Sequence, residues 1–296
     1  MAGPTAAGKT DISLALAGKI FEIISFDSVQ IYRYLDIGSG KPPPDKRGST
    51  PHHGIDIVNP DEDFTAGDFS RYAEEVCNGI AARGRLPLFV GGTGFYLDAF
   101  FKGLSLIPDI DPLIRSRIRD DIAERGTGPL YDELLVIDPS FAGKIHPNDR
   151  QRIMRGLEVY RGTGRPLSWY YREKNGHESG ETLYIGLYDE RESLNDRINE
   201  RVDAMIASGF ADEVKNLREM GYTPELKSMK SIGYAELNRF LDGLMDFKDA
   251  VEAIKNETRH YAKRQMTWFR RNKKKNWIKP DKKDALYQYV FKWLNK

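Results

Sequence analysis

The sequence predicts an α/β fold: a parallel sheet flanked by helices, with a mainly helical subdomain inserted into the chain. Two observations lead to this prediction. Short apolar runs alternate with amphipathic helical patterns near both ends of the chain, whereas charged helical segments and loops fill its middle. A hydrophobic content of 40% over 296 residues is enough for a sizeable core. We therefore expect a core domain of residues 1–109 and 176–296, and an inserted domain of residues 110–175.

Helices and strands alternate in the first part of the predicted core. Apolar residues at helical spacing predict a helix that begins at Thr10 and includes Ile20, and residues 21–26 form an apolar run typical of a buried strand. A second helix is expected over residues 73–82 and a second strand over residues 86–90. Both strands run into polar or glycine-rich turns, which is where open α/β sheets bind their ligands.

The rest of the chain is predicted to be mostly helical. The inserted segment carries charged helical patterns separated by loops that contain glycine and proline, and the later part carries apolar residues at helical spacing. The expected elements are helices over residues 111–125, 151–160, 193–220 and 249–271, and strands over residues 182–187 and 277–278.

Composition excludes several classes of protein. Cys77 is the one cysteine, which excludes an intramolecular disulfide and a cysteine-rich zinc site. No apolar run approaches the roughly 18 to 20 residues that a membrane span needs. A glycine-rich loop begins at Gly3 and leaves no room for a signal peptide. We therefore expect a monomeric cytoplasmic protein without a membrane partner.

The glycine-rich loop fits the phosphate-binding pattern G-x-x-x-x-G-K-[ST], in which backbone N–H groups surround phosphate oxygens. Its residues are Gly3, Pro4, Thr5, Ala6, Ala7, Gly8, Lys9 and Thr10. The pattern gives Lys9 the role of neutralising phosphate charge and the Thr10 hydroxyl that of binding Mg²⁺. An apolar helix follows directly, so we expect a P-loop NTPase-like core. Only two residues precede the loop, so either the strand that should lead into it is missing from this chain or the start of the sequence has been assigned too late.

Two acidic residues are candidates for the end of a strand next to the phosphate. Residues 134–138 read as an apolar strand that ends in an acid, but Asp138 followed by Pro139 is also a good helix start, and we favour that structural interpretation. Asp27 is the better catalytic candidate, as a general base or a Mg²⁺-orienting group, although it could instead cap the next helix. Thr93, in the glycine-rich turn, carries a similar ambiguity. We expect Asp27 and Thr93 to lie near the loop.

A basic segment lies near the end of the chain, although the net charge of the protein is only +1. Nine Lys and Arg residues fall between Arg259 and Lys279 without an acidic residue, and aromatic residues are interleaved with them. Such a segment suits a nucleic-acid surface, but a solvated helix whose aromatic side chains pack on the core explains it equally well.

Seven segments, in chain order, carry a resemblance to a known family. They are residues 3–10, 25–32 (Ser-Phe-Asp-Ser-Val-Gln-Ile-Tyr), 36–42 (Asp-Ile-Gly-Ser-Gly-Lys-Pro), 51–53 (Pro-His-His), 90–93 (Val-Gly-Gly-Thr), 146–152 (His-Pro-Asn-Asp-Arg-Gln-Arg) and 262–270 (Ala-Lys-Arg-Gln-Met-Thr-Trp-Phe-Arg). Through them the sequence resembles the bacterial tRNA dimethylallyltransferases, also called tRNA isopentenyltransferases. So many collinear segments are far more specific than a phosphate-binding loop alone.

The resemblance implies transfer of a dimethylallyl group from dimethylallyl diphosphate to N6 of the adenosine just 3′ of the tRNA anticodon. It implies that the loop and Mg²⁺ hold the donor diphosphate, that Asp27 accepts a proton from the attacking amine, and that Thr93 contacts the nucleotide or the donor. Lys230 stands where some members carry arginine, and it is a further candidate for the diphosphate. The residues implied to contact tRNA are Asp27, Ser28, Val29, Gln30, Thr93, Arg115, Gln151, Arg152, Ile153, Met154 and Arg155.

Two other functions use the same residues. A small-molecule kinase would use the loop and Asp27, with Asp27 activating a substrate hydroxyl, but it leaves the basic segment unexplained. An RNA-binding protein gated by a nucleotide would use the basic segment, but it leaves Asp27 and Thr93 without a role.

Overall fold

The computed structural model describes residues 1–18, 20–48, 50–171, 182–272 and 276–295. The chain divides into two compact units, Met1–Phe100 with Ser179–Lys296, and Phe101–Glu178. Lys273, Lys274 and Lys275 of the basic segment lie outside the described residues.

The first unit contains a small parallel sheet. Its strands are β1 (Phe21–Phe26), β2 (His52–His53), β3 (Leu86–Gly91), β4 (Ile185–Leu187) and β5 (Asn276–Ile278). All pairings are parallel: β1 lies between β2 and β3, and β4 pairs with β5. Every residue of β1 is buried, as predicted, including the polar residues Glu22 and Ser25. The strands predicted over residues 21–26, 86–90 and 277–278 are confirmed, and the predicted strand over 182–187 is reduced to its last three residues.

Ala2 joins the two groups of strands. It forms parallel bridges with Gly91 on one side and Gly186 on the other. Its N–H donates to the carbonyl of Ile185 at 2.9 Å, and its carbonyl accepts from the N–H of Leu187 at 2.8 Å. Ala2, which directly precedes the glycine-rich loop, therefore lies between β3 and β4.

Helices surround this sheet and form the second unit. They are α1 (Lys9–Ala17), α2 (Pro44–Arg47), α3 (Ala66–Ala82), α4 (Gly94–Lys102), α5 (Pro112–Arg125), α6 (Thr127–Ile137), α7 (Pro139–Ala142), α8 (Arg150–Thr163), α9 (Leu167–Tyr170), α10 (Arg191–Ala207), α11 (Phe210–Glu219), α12 (Tyr234–Leu241), α13 (Phe247–Phe269) and α14 (Lys283–Leu294). Across the described ranges, no helix has the length and apolar character required to span a membrane.

Two predicted helices differ in the structure. The prediction of a single helix over residues 193–220 is wrong. The helix is interrupted between α10 and α11 at Gly209, whose φ of 93° lies in the left-handed region. The apolar spacing continues across the break, which is why periodicity alone suggested one helix. The first helix ends at Ala17, so Ile20 lies beyond it and is 50% exposed.

The second unit has a core of its own, built from α5, α6 and α8. Ile118, Leu130, Leu134, Ile153 and Leu157 are among its buried residues. Residues 134–137 belong to α6, and the Asp138 side chain accepts from the N–H of Phe141 at 3.0 Å at the start of α7. The structural interpretation of Asp138 as a helix cap is thus confirmed.

Candidate active site

The glycine-rich loop turns sharply into α1. Gly8 has a φ of 77°, which favours glycine, and Ala6 has a φ of 60°, which is unusual for a residue with a side chain. The Lys9 ammonium donates to the carbonyls of Gly3 and Pro4 at 2.9 and 2.7 Å, so it lies inside the curve of the loop. The strained backbone and the enclosed cation are the features that a phosphate-binding loop requires.

Burial changes the acidity of the Lys9 ammonium. The pKa of Lys9 is lowered to about 7, chiefly because burial removes the ammonium from water; the carboxylate of Asp27 opposes this shift and nearby Arg201 adds to it. Because desolvation is the largest of these effects, the lysine is a poorly solvated cation that an anion would stabilise.

A cavity of about 830 Å³ opens beside the loop. Its lining includes the loop from Thr5 to Thr10, the turn from Asp27 to Gln30, and cations that come from later in the chain. Among those cations are Lys46, Arg197, Arg201, Lys230 and Arg264. Gly3 and Pro4 are buried behind the loop and do not line the cavity.

Asp27 lies where β1 ends and has two roles in the geometry. Its Oδ1 accepts from the N–H groups of Val29 and Gln30 at 2.9 and 3.3 Å, which stabilises the turn that follows. Within the described residues, Oδ2 has no hydrogen bond, and the residue lines the cavity. The interpretation of Asp27 as the cap of the next helix is wrong, because a turn and not a helix follows β1. The side chain stabilises this turn and also lines the cavity.

Thr93 is tied to the same turn, although it does not line the cavity. Its Oγ1 accepts from the N–H of Ser28 at 3.0 Å and lies 3.2 Å from the Ser28 hydroxyl. The structure therefore joins the ends of the neighbouring strands β1 and β3 through Ser28 and Thr93.

Three residues that sequence reasoning did not select belong to this region. Gln265 is buried: its Oε1 accepts from the N–H of Thr5 at 2.8 Å, and its Nε2 donates to the carbonyl of Gly92 at 3.0 Å. Burial raises the pKa of Tyr261 to about 12, with Asp27 adding to the effect, and its hydroxyl interacts with Thr93 and Gln265.

Arg201 is the third of them. Burial holds the pKa of its guanidinium below the usual value, with Asp27 opposing the effect. No hydrogen bond or ion pair of this guanidinium is found in the described part of the chain, in contrast to Arg197, which bonds Asp189 at 3.1 Å. The spacing of four between these two arginines on α10 places them on one helix face, and that signal could have pointed to Arg201.

Two of the predicted tRNA-contacting residues of the second unit share one acidic partner. The guanidinium groups of Arg115 and Arg155 lie 3.2 and 3.0 Å from the buried carboxylate of Glu158. Both arginine side chains are 42% exposed, so their charges also face solvent. Other residues predicted here have different environments: Gln151 is exposed, Arg152 pairs with Asp149 at 2.7 Å, and the side chains of Ile153 and Met154 are buried in the helical core.

The first unit offers few protein ligands for a metal. No group of three or more His, Cys, Asp or Glu side chains within the described ranges is arranged to hold a metal ion. The Thr10 hydroxyl lines the cavity and makes no hydrogen bond to another described residue. Such a site suits Mg²⁺, which commonly keeps several waters and binds through substrate phosphates.

Comparison with known proteins gives a consistent result. The sequence profile of the IPP transferase family matches residues 30–272, and that of isopentenyl transferase matches residues 1–53. The chain is 46% identical to a tRNA dimethylallyltransferase of Syntrophobacter fumaroxidans over 94% of this chain and 82% of that protein. It is 42% identical to that of Geobacter sulfurreducens over 99% and 95% of the two chains.

Solved structures agree with the sequence comparison. The full-length tRNA isopentenylpyrophosphate transferase of Bacillus halodurans is 37% identical and superposes with a TM-score of 0.73 over 99% of this chain and 95% of that one. A eukaryotic dimethylallyltransferase acting on tRNA is 33% identical, with a TM-score of 0.74 over 90% of this chain and 68% of that one. These matches cover nearly the whole chain and show that it belongs to the IPP transferase family.

Proposed function

We propose that this protein transfers the dimethylallyl group of dimethylallyl diphosphate to N6 of the adenosine 3′-adjacent to the tRNA anticodon, with release of diphosphate. The observation that carries the proposal is the cavity beside the glycine-rich loop. It brings together a poorly solvated lysine, a strand-end carboxylate and an arginine that pairs with no other described residue. The family relationship supports this tRNA-modifying function over a kinase or a gated RNA-binding protein.

The cations suit the leaving group. As the allylic C–O bond breaks, negative charge grows on the diphosphate, and preorganised positive charge stabilises that change most. Lys9 and Arg201 provide it from beside the loop, and exposed Lys230 provides a further charge at the cavity wall. Thr5 to Thr10 contribute backbone N–H groups at the start of α1.

Asp27 suits the proton transfer. The exocyclic amine forms a bond to the allylic carbon and must lose one proton, and the Oδ2 atom of Asp27 is the acceptor that the geometry favours. A positioned base contributes about 10² to 10⁴ in rate. Thr93 and Tyr261 lie beside this carboxylate and would orient the target base.

Mg²⁺ is the proposed cofactor. When bound, it would neutralise diphosphate charge and so make the diphosphate a better leaving group. Thr10 would supply the protein ligand, with phosphate oxygens and water completing the shell.

We extend the proposal to the architecture of the first unit, which we assign to the P-loop NTPase-like folds. Ala2 lies in the middle of parallel strands, the phosphate-binding loop follows it, and α1 begins at Lys9. This order of strand, loop and helix is the one that the phosphate-binding pattern requires.

We further propose that the second unit binds the tRNA backbone through Arg115 and Arg155, and that the basic face of α13 contributes to the same task. Monomeric behaviour and a cytoplasmic location complete the proposal.

One assay separates the candidate functions. The protein is incubated with unmodified tRNA, Mg²⁺ and either labelled dimethylallyl diphosphate or labelled ATP, and label in RNA is measured. Transfer from the prenyl donor alone supports the proposal. Transfer from ATP, or no transfer from the prenyl donor, overturns it in favour of a kinase or of RNA binding without chemistry.

A further inference from the structure

Glu213 of α11 holds three consecutive backbone N–H groups. Its Oε2 accepts from Asp36 at 3.0 Å and from Ile37 at 2.6 Å, and its Oε1 accepts from Gly38 at 3.2 Å. The Tyr234 hydroxyl donates to the same Oε1 at 2.7 Å. Both oxygens of the carboxylate are therefore occupied, and each accepts two hydrogen bonds. Successive N–H groups of this kind form a concavity that binds anions, and here the anion is a side chain of the protein itself.

The segment held by Glu213 is residues 36–41, which we name the cavity loop because Gly38 to Lys41 line the cavity. A side chain at Gly38 would come within 2.2 Å of the Phe210 ring, so the backbone packs flush against α11. At the other end of the cavity loop, the buried Lys41 ammonium donates to Asp36 and Asp56 at 2.9 and 2.6 Å. The conformation of the cavity loop is thus determined from both ends.

The cavity loop in turn holds Gln30. The Nε2 of Gln30 donates to the carbonyls of Ser39 and Gly40 at 3.4 and 3.3 Å, and its Oε1 accepts from the Ser25 hydroxyl at 2.9 Å. The backbone N–H of Gln30 donates to Oδ1 of Asp27. A continuous series of hydrogen bonds therefore leads from Glu213 through the cavity loop and Gln30 to Asp27.

We propose that Glu213 is a positioning residue for the transfer reaction: it fixes the cavity loop, whose carbonyls orient the Gln30 side chain beside Asp27. The inference rests on the proposed function for its catalytic consequence. Its structural part, the dependence of the cavity loop on this carboxylate, is independent of that function.

Chemical rescue tests the proposal. Glu213→Ala leaves the N–H groups of residues 36–38 without an acceptor beside a half-buried space that acetate can enter. We expect transfer turnover to fall by about 10- to 100-fold at a temperature where the variant is folded. Acetate should restore much of the lost turnover of Glu213→Ala and should leave the turnover of the wild type unchanged. Glu219→Ala removes an exposed carboxylate from the same helix and serves as the matched control.

Glu213→Gln distinguishes positioning from packing. If the amide nitrogen faces Gly38, the Tyr234 hydroxyl can rotate to accept from it, so only the bond from Gly38 is lost. We therefore expect a clearly smaller loss of turnover than in Glu213→Ala. Equal losses in both variants, or full turnover in folded Glu213→Ala, would overturn the positioning role.

Hydrogen exchange provides a measurement that needs no activity. Backbone amides of residues 36–38 should exchange faster in Glu213→Ala than in the wild type, and acetate should slow them again. Unchanged exchange at these amides refutes the inference. If the wild type shows no prenyl transfer, the proposed function is refuted. The exchange result would still decide whether Glu213 holds the cavity loop.

Discussion

The Gln265 side chain accepts a hydrogen bond from the backbone N–H of Thr5 at 2.8 Å, across 260 residues of sequence. The same amide donates to the carbonyl of Gly92 at 3.0 Å. One buried side chain of α13 thus fastens the phosphate-binding loop to the turn that follows β3. The helix that carries part of the basic segment therefore lies against the cavity. Besides its charge, it contributes a side chain that positions the phosphate-binding loop.

The first prediction follows from this contact. Gln265→Met should remove the partners of the partly buried N–H of Thr5 and the buried carbonyl of Gly92, at about 1–3 kcal/mol each, and lower the melting temperature by at least about 4 °C. Thermal denaturation measures the melting temperature. Gln288→Met, at an exposed position on α14, is the matched control. Equal melting temperatures for the two variants would show that the contact contributes nothing to stability.

The second prediction concerns protons and Lys9. Since the pKa of Lys9 is lowered to about 7 in the free protein, and a bound diphosphate favours the charged lysine, binding raises that pKa. Above pH 7 the free lysine is largely neutral, so at pH 8 the lysine should take up close to one proton on binding, and its contribution to affinity should fall as the pH rises from 7. Below pH 6 the lysine is already charged and uptake should be small.

Calorimetry checks this prediction. Diphosphate is titrated into the protein at pH 8 in buffers of different ionisation enthalpy. The slope of the observed binding heat against the buffer ionisation enthalpy gives the number of protons taken up on binding. Lys9→Met should remove the part of the uptake that belongs to the lysine. A slope that is the same in Lys9→Met and in the wild type would contradict the assignment.

The third prediction separates the two roles of Asp27. Asp27→Asn keeps an oxygen that accepts from Val29 and Gln30 but cannot take a proton, whereas Asp27→Ala loses both functions. Both variants should lower turnover by at least about tenfold and leave tRNA affinity largely intact. Asp11→Asn, an exposed acid that also lines the cavity, is the control and should turn over normally. Normal turnover of Asp27→Asn would limit Asp27 to stabilising the turn.

The fourth prediction concerns tRNA binding by the second unit. Arg155→Met should weaken tRNA binding and reduce the slope of log affinity against log salt by about 1, because one phosphate contact is lost. Arg161→Met lies on the same helix, but the Arg161 guanidinium is bound by Asp121 and Glu133 at 2.8 and 2.9 Å, so its loss should leave the slope unchanged. Identical slopes for both variants and the wild type would remove Arg155 from the interface.

The sequence alone determined the features whose signals are local. The apolar run of β1, the phosphate-binding pattern before α1 and the cap at Asp138 each depend on residues within one turn or strand, so short-range physical rules identify them. The placement of Asp27 and Thr93 just after strands followed from the same reasoning, because the apolar runs end directly before them.

Only the tertiary structure decided which distant residues complete the site. Arg201, Tyr261 and Gln265 lie on helices far along the chain, and nothing in their local pattern specifies the strand end that they approach. The position of Ala2 between β3 and β4 likewise exists only once both strands are in place. Glu213 shows the same limit, since its partners are backbone groups some 175 residues earlier. Local sequence specifies the loop that binds phosphate, and long-range packing supplies the charges and acceptors that surround it.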